Sequence, residues 1–354
     1  MKIKILFYSH TIDFAGTWRS HERTLLNLNK ELFDVYVFYN PNVKNDRLDY
    51  LKTQIDNDKI IPFEASIDKF GPQQGYPYKE TNFAVLAKSL NFDIIHFARS
   101  GYYEWPFIER IAPVQIESNV FGGKDNSIFL DCSVTISNRM TQLRGGSDHM
   151  VYYPIPLPYE SKNNLNETLN IPEDCIVFGR AGRGSNFSPI AFQALKMFKN
   201  MGFDFKYLIL GPCEMTKDCI RILDLSENCI LIDPTNDDEF IHRFHNTIDI
   251  FLHYRSDGET FGTAIAQAMM YGIPVISHYA GYNAQSEIIE DGGYVAEGVK
   301  DYLEYLLRLV TDDNFYKSIS NLAKERAKAF EEKYIAKQWE QIYQDLYKKK
   351  SLIH

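Results

Sequence analysis

Short apolar runs alternate with longer amphipathic stretches along the chain. Apolar runs of about four to eight residues are typical of strands buried on both faces, whereas the longer stretches repeat their apolar residues at helical spacing. One predicted helix, Trp18 to Glu31, places Leu25, Leu26 and Leu28 on its buried side. This rhythm predicts an α/β protein with parallel sheets.

The apolar runs locate the strands on either side of a break in the pattern. The strands predicted in the first half are Ile3 to Tyr8, Asp34 to Tyr39, Ile60 to Phe63, Asp93 to Phe97, Val114 to Glu117, Ser133 to Ile136 and Met150 to Tyr153. Those predicted in the second half are Cys175 to Phe178, Tyr207 to Leu210, Cys229 to Ile232, Ile248 to His253, Val275 to Ser277 and Gly293 to Ala296.

The break combines prolines with polar residues, first from Pro154 to Pro158 and then from Ser161 to Glu167. Such a composition is typical of a linker between domains. We therefore expect two doubly wound domains, residues 1–157 and 172–332, joined by a linker of residues 158–171. Residues 333–354 are expected to form a closing helix.

That closing helix is predicted from Tyr334 to Lys348, with one apolar stripe and a charged opposite face. The stripe consists of Trp339, Ile342, Tyr343 and Leu346. An apolar stripe on a terminal helix has to be covered, either by the N-terminal domain or by a second copy of the chain. The pattern alone leaves both possibilities open.

Composition narrows the range of partners. The 354 residues carry a net charge of −9, which argues against nucleic acid because phosphate backbones are bound by basic surfaces. The same charge gives no support to a basic membrane anchor, and no apolar run approaches the roughly 20 residues that span a bilayer. We find no targeting signal and expect a cytoplasmic protein; the five cysteines are expected to be mostly buried thiols.

The most informative stretch follows the predicted strand Ile248 to His253 and opens a helix. At the helix start, around Phe261, Gly262 and Thr263, free amides and the helix dipole favour an anion such as a phosphate. Glu259 stands just outside as an acceptor for sugar hydroxyls, with Gln267 expected on the same face. The same spacing also fits an acidic residue that stabilises an ordinary helix.

A second loop rich in glycine and arginine follows the first strand of the second domain. Arg180 and Arg183 can offer planar guanidinium groups to a diphosphate at the carboxyl edge of the sheet. Gly179, Gly182 and Gly184 would let the backbone approach closely. The alternative is a flexible surface loop that happens to carry two arginines.

These two stretches resemble the donor site of retaining GT-B glycosyltransferases of the large family 4 type. The residues that stand where the family pattern has them are Glu259, Phe261, Gly262, Ala268, Met269, Gly272, Pro274, Val275 and Ile276. The sequence departs from the pattern at Gln267, where the family has a second glutamate that holds the ribose. Arg180 matches the family's Gly-Arg segment, whereas the following lysine is missing and Arg183 is expected to replace it.

The resemblance implies two Rossmann-like domains facing a cleft, and transfer of a sugar from a UDP-, GDP- or ADP-linked donor to a hydroxyl acceptor. It implies catalytic roles for Glu259, Arg180 and Arg183. The donor-binding set implied is Gly16, Gly179, Arg180, Arg183, Glu259, Thr260, Phe261, Gly262, Thr263 and Gln267. The set expected to face the acceptor or sugar is Arg19, His21 and Asn119, the last standing where the family often has a histidine.

No cofactor or metal is expected, because guanidinium groups and a helix dipole already supply positive charge. The acidic pair Asp237 and Asp238 is predicted to cap a helix from Glu239 to Asn246. The aromatic residues Tyr76, Tyr78, Tyr102, Tyr103 and Trp105 fit either an acceptor platform or ordinary core and surface positions.

Three other functions share parts of this pattern. A GT-B epimerase or phosphorylase would use the same donor site, and Gln267 makes a catalytically weak nucleotide-sugar-binding protein a real alternative. A dinucleotide-dependent oxidoreductase is disfavoured, because no Gly-x-Gly-x-x-Gly follows the first strand of either domain.

Overall fold

Two separate parallel sheets organise the chain. The computed structural model describes residues 2–9, 12–14, 16–63, 83–99, 109–124, 127–182 and 186–352. The chain forms two units, the first comprising Met1–Pro154 with Glu332–His354 and the second comprising Ile155–Glu331. Each unit contains one sheet with helices packed on it.

The first unit is built on strands that pair in parallel throughout their described length. The strands are β1 (Ile3–Ser9), β2 (Phe33–Tyr39), β3 (Ile60–Pro62), β4 (Ile94–Arg99), β5 (Val114–Asn119), β6 (Cys132–Thr135) and β7 (His149–Met150), in the order β3-β2-β1-β4-β5-β6-β7. Its first helices are α1 (Gly16–Asn27), α2 (Leu48–Gln54), α3 (Phe83–Leu90) and α4 (Asn138–Arg144).

The second unit repeats this plan with a parallel sheet of its own. The strands are β8 (Val177–Ala181), β9 (Lys206–Leu210), β10 (Cys229–Ile232), β11 (Ile250–Leu252), β12 (Val275–His278) and β13 (Gly293–Ala296), in the order β10-β9-β8-β11-β12-β13. Its helices are α5 (Asn166–Leu169), α6 (Ile190–Asn200), α7 (Glu214–Ile222), α8 (Asp238–Thr247), α9 (Thr263–Met270), α10 (Ala284–Ile289), α11 (Val299–Thr311) and α12 (Asp313–Ala327).

Every predicted strand overlaps an observed one, and the predicted α/β class is confirmed. The order of each sheet reverses next to its first strand: β1 lies between β2 and β4, and β8 lies between β9 and β11. In the second unit this reversal lies between β8 and β11, where Phe178 pairs with Ile250. Loops diverge at such a point and leave a crevice at the carboxyl edge of the sheet, where ligands of open α/β sheets bind.

The last helix, α13 (Glu332–Ser351), packs on the first unit. Trp339, Ile342 and Tyr343 of the predicted stripe are buried, and Leu346 is partly buried against the same core. The ring of Tyr343 meets that of Phe7 edge-on, with centroids 6.3 Å apart. The stripe is therefore covered within the chain, by the core beneath β1.

The stretch expected to be a linker is more ordered than its composition suggests. Residues 158–171 include α5, and the side chain of Leu165 is fully buried in the second unit. The amide of Leu165 also donates to the hydroxyl of Thr247 over 2.8 Å. Here buried apolar contacts outweigh the polar composition that predicted a linker.

Candidate functional site

The loop that joins β11 to α9 is shaped by glycines that other residues could not replace. Gly258 has φ +73°, and a β-carbon there would lie 2.9 Å from the amide nitrogen of Asn283. Gly262 has φ +98° and precedes the first residue of α9. Both positions require a left-handed backbone that glycine adopts without strain. The loop therefore folds tightly against the segment that follows β12.

The amides that favour an anion lie at the start of α9, two residues later than the sequence predicts. α9 begins at Thr263, and its first internal bond runs from the amide of Ala266 to the carbonyl of Gly262 over 3.0 Å. The amides of Thr263 and the next two residues have no acceptor within the helix. Phe261 lies outside the helix, and its buried ring packs edge-on against Phe330. Phe261 thus anchors the loop in the core.

Glu259 is held in the same loop by contacts to its side chain and to its backbone. Its Oε1 lies 3.1 Å from Nε2 of His253, and its Oε2 lies 3.5 Å from Nη1 of Arg255. Its amide donates to Oε1 of Gln285 over 2.9 Å, and its carbonyl accepts from the amide of Ala284 over 2.9 Å. The carboxylate is 21% exposed, so it is oriented by the protein and still reachable.

The sequence predicts Glu259 just outside the helix, on the same face as Gln267. Because α9 begins at Thr263, Glu259 lies in the preceding loop as predicted, and its shared face with Gln267 stays a prediction. Gln267 lies one turn into α9, half-buried like Thr263 and Thr260. The amide of Gln267 is therefore presented by the helix, whereas the carboxylate of Glu259 is presented by the loop.

Charged and polar neighbours extend the site on both sides of Glu259. Arg255 makes a bidentate ion pair with Asp257, with distances of 2.7 and 3.1 Å. The amide group of Asn186, which follows β8, donates to Asp257 over 2.7 Å. The loops after β8 and β11 are thereby joined at the reversal point of the sheet.

Histidines complete this network. Nδ1 of His253 lies 2.8 Å from the hydroxyl of Ser277, which is fully buried at the end of β12. Nε2 of His278 accepts from the amide of Arg255 over 3.3 Å, and burial lowers the pKa of His278, which favours the neutral ring that can accept.

The sequence analysis did not identify His253, Arg255, Asp257, Ser277 or Gln285. One signal was available for the first three: polar residues at every second position from 253 to 259, directly after a buried strand. Such a run at the carboxyl edge of a parallel sheet is typical of a ligand site. Ser277 and Gln285 belong to other segments and had no local signal.

The guanidinium group of Arg180 is buried against Tyr254. The residue is 3% exposed, its guanidinium group lies 4.2 Å above the ring of Tyr254, and Nη1 donates to the carbonyl of Gly182 over 3.1 Å. Gly179 is needed for packing, because a β-carbon would come within 2.5 Å of the side chain of Ile248. The predicted close approach of Gly179 to a ligand stays a prediction.

Some predicted residues lie outside the described part of the chain. Among them are Arg183, Gly184 and the aromatic residues Tyr76, Tyr78, Tyr102, Tyr103 and Trp105. Their predicted roles stay predictions.

In the first unit, the residues predicted to face an acceptor are mostly interior. His21 is 6% exposed, its Nε2 lies 2.8 Å from the hydroxyl of Ser118, and burial lowers its pKa to about 3. Asn119 is equally buried, and its side-chain oxygen accepts from the amide of Phe121 in a local turn. Both residues are engaged inside the unit, and their predicted contact with an acceptor or sugar stays a prediction. Arg19 is half-buried, and Gly16 is exposed at the start of α1.

The acidic pair after β10 caps a helix, as predicted. A side-chain oxygen of Asp237 accepts from the amides of Glu239 and Phe240 over 2.9 and 3.3 Å, and α8 begins at Asp238. Within the described ranges, no three or more histidine, cysteine or acidic side chains are grouped to hold a metal ion. None of the helices in those ranges is long and apolar enough to span a bilayer.

Comparisons with known proteins agree with this geometry. Residues 166–326 match the family model described as glycosyl transferases group 1. No curated protein matches the sequence. A glycosyltransferase from Rickettsia africae shares 16% identity, with a TM-score of 0.71 and 98% of each chain covered.

Two further solved structures show the same fold. HepE from Anabaena, in complex with UDP and glucose, shares 14% identity with a TM-score of 0.68, covering 96% of this chain and 99% of that one. Sucrose-phosphate synthase from Thermosynechococcus elongatus also shares 14% identity with a TM-score of 0.68, covering 98% and 99%. Residues 166–326 are thus similar to the glycosyl transferases group 1 family, and the chain has the GT-B fold.

Proposed function

We propose that this protein is a retaining glycosyltransferase that moves a sugar from a nucleotide-diphosphate sugar to a hydroxyl acceptor. One observation carries the proposal: Glu259 is fixed beside the amino end of α9 at the carboxyl edge of a parallel sheet. The family of residues 166–326 and the UDP complex of Anabaena HepE support a nucleotide-sugar donor.

Each part of the site has a task in this proposal. The free amides of α9 bind the diphosphate, because the positive end of the helix dipole favours an anion there. Glu259 accepts hydrogen bonds from hydroxyls of the sugar, and Gln267 bonds the ribose. Thr260, Gly262 and Thr263 line the donor between them, and the nucleotide is UDP, GDP or ADP.

The proposed reaction keeps the configuration at the anomeric carbon. The bond from that carbon to the diphosphate oxygen breaks, and the acceptor oxygen bonds to the same face of the sugar. The acceptor proton passes to the leaving diphosphate oxygen. The amides of α9 stabilise the negative charge that develops on the diphosphate, so no metal ion is required. Direct contacts of Arg180 and Arg183 with the diphosphate stay predictions.

A binding screen followed by product analysis tests the proposal. UDP, GDP, ADP and their glucose and galactose conjugates are compared by thermal shift, and active donors are then offered a panel of hydroxyl acceptors in the presence of EDTA. We expect one nucleotide series to stabilise the protein and the product to keep the donor's anomeric configuration by NMR. No stabilisation by any member would refute donor binding, and an inverted product would refute retention.

A catalytically weak nucleotide-sugar-binding protein is the second candidate. Two observations favour it: Gln267 replaces a charged group, and the guanidinium group of Arg180 is buried against Tyr254. Donor binding without release of the nucleotide, with or without acceptors, would select this function. Turnover of the donor without any hydroxyl acceptor would instead indicate an epimerase, and turnover that needs inorganic phosphate a phosphorylase.

A further inference from the structure

The side chain of His253 connects a buried serine to the carboxylate of Glu259. β11 and β12 pair in parallel, with Leu252 opposite Ile276, so the next residues, His253 and Ser277, are also neighbours. Nδ1 of His253 lies 2.8 Å from Oγ of Ser277, and Nε2 lies 3.1 Å from Oε1 of Glu259. His253 itself is 3% exposed.

The chemistry of the partners fixes the direction of both hydrogen bonds in the neutral ring. A carboxylate can only accept, so Nε2 of His253 carries the proton and donates to Glu259. Nδ1 then accepts from the hydroxyl of Ser277. Because Ser277 is fully buried, water does not compete for this bond. The tautomer and the orientation of the imidazole are thus set by β12.

The other contacts of Glu259 hold its carboxylate less firmly. Gln285 and Ala284 bond only its backbone, which leaves the side-chain torsions free. Arg255 lies 3.5 Å from Oε2, at the limit of a hydrogen bond, and its guanidinium group is already engaged in two shorter bonds to Asp257. His253 therefore supplies the shortest bond to the carboxylate.

We propose that His253 is a positioning residue that fixes the carboxylate of Glu259 for the hydroxyls of the donor sugar, with Ser277 fixing His253 in turn. This inference rests on the proposed function and deepens it. The imidazole uses one lone pair of Oε1, and the other lone pairs of the carboxylate are available to sugar hydroxyls. A displacement of about 1 Å at a substrate-binding group can lower the rate roughly 100-fold.

Two substitutions at His253 separate positioning from mere space filling. His253→Phe keeps a ring of similar size and removes both nitrogens, whereas His253→Gln offers an amide that can still donate to Glu259. Crystal structures of both variants without ligand should show the carboxylate displaced in H253F and retained in H253Q. A carboxylate that stays in place in H253F would overturn the proposal, whatever the donor is.

Kinetics with UDP-glucose provide the second readout, taken as release of UDP. We expect H253F to lower kcat/KM about tenfold to 100-fold while the Kd for UDP alone changes less than about twofold, and H253Q to recover most of the activity. Equal activity of the two variants, or a parallel loss of UDP affinity, would contradict positioning of the sugar-binding group. Wild-type protein that binds neither UDP nor UDP-glucose would speak against that donor and leave the crystallographic test intact.

Ser277→Ala covers the case in which H253F does not fold. It keeps the imidazole and removes only the hydroxyl that fixes the tautomer, so the protein should fold with a moderately lower melting temperature, because Nδ1 of His253 loses its donor. We expect the carboxylate of Glu259 to be more disordered in the S277A crystal structure than in the wild type. An unchanged, well-ordered carboxylate in S277A would overturn the role of Ser277.

Discussion

Two buried histidines, His253 of the second unit and His96 of the first, differ in their partners. His253 bonds a partly exposed carboxylate at the edge of the sheet. In the first unit, Nδ1 of His96 bonds the hydroxyl of Tyr343 over 2.6 Å, and its ring lies 4.5 Å from that of Trp339. His21 lies beside it, with ring centroids 4.8 Å apart.

The two sheets share their strand order, so this difference comes from the residues placed on a common scaffold. Burial lowers the pKa of both His21 and His96, and a charge on His21 would lower that of His96 further. These two histidines are therefore neutral packing groups. His253 instead orients an acid. The partner of a buried histidine, rather than its place in the fold, decides which of these roles it takes.

The largest expected effect tests whether the edge of the second sheet is functional. Glu259→Gln removes the charge that accepts from sugar hydroxyls, and turnover of the donor should fall about 100-fold or more. Stability should change little, because the carboxylate is partly exposed. UDP release from UDP-glucose measures the first quantity and thermal melting the second. Glu325→Gln, at an exposed position of α12, is the matched control.

If the turnover of E259Q were unchanged, Glu259 would be an ordinary loop residue. The bond from His253 to Glu259 would then have no more functional meaning than the bond from His96 to Tyr343. A loss of turnover in E325Q as well would point to a general effect of charge. Only a loss confined to E259Q supports the site.

The next effect concerns Arg180, whose charged side chain is buried in the second unit. Arg180→Met removes the donor to the carbonyl of Gly182 and the contact with the face of Tyr254. We expect the free energy of unfolding to fall by about 2 kcal/mol, because a hydrogen bond from a charged donor and a buried contact between a cation and an aromatic ring are both lost. Urea denaturation followed by circular dichroism measures this loss.

Arg308→Met is the control for Arg180→Met. Arg308 stacks on Phe315 at 3.7 Å but is exposed, so its loss should cost less than about 1 kcal/mol. If R180M instead kept its stability and lost turnover, Arg180 would act on the diphosphate, as the sequence pattern predicts.

The sequence predicted the secondary-structure elements well, but it did not predict contacts between residues that are far apart in the chain. Apolar runs located the strands, and Asp237 was identified as a cap because capping depends on neighbouring residues. The contact between His253 and Ser277 joins residues 24 apart through strand register, which no local pattern encodes. Gly179 is required by the side chain of Ile248, also distant in sequence. The direction of Arg180 could have been predicted, since it shares a strand face with buried Phe178.

A smaller effect is the pH dependence of stability, which tests whether the buried histidines of the first unit are neutral. The pKa of His21 falls from the ordinary 6.5 to about 3 on folding, so the unfolded chain binds a proton that the folded chain excludes. Its contribution to stability is complete above pH 6.5 and is lost as the pH falls toward 3. Between pH 7.5 and 5.5 each such histidine should cost about 1.4 kcal/mol of unfolding free energy.

His21→Gln should reduce this acid loss by one histidine's share, and exposed His149→Gln should leave it unchanged. Tryptophan fluorescence during urea denaturation isolates the first unit, because the sequence from 155 to 331 contains no tryptophan. Among the described residues, His21 forms its hydrogen bond and ring contacts with Ser118, His96 and Phe7, none of them a carboxylate. An acid loss that is equal in H21Q and wild type would show that His21 is not the group that titrates.

The smallest expected effect lies within the second unit and concerns the neutral amide of Gln267. A carboxylate accepts a hydrogen bond from a ribose hydroxyl more strongly than an amide does, by roughly 1 kcal/mol. Gln267→Glu should therefore tighten UDP binding about fivefold in calorimetry, and Gln267→Ala should weaken it. Because Gln267 is presented by α9 and Glu259 by the loop, Q267E should leave the kcat for UDP-glucose nearly unchanged. Weaker UDP binding in Q267E would mean that the ribose does not contact residue 267. The added carboxylate would then only repel the diphosphate.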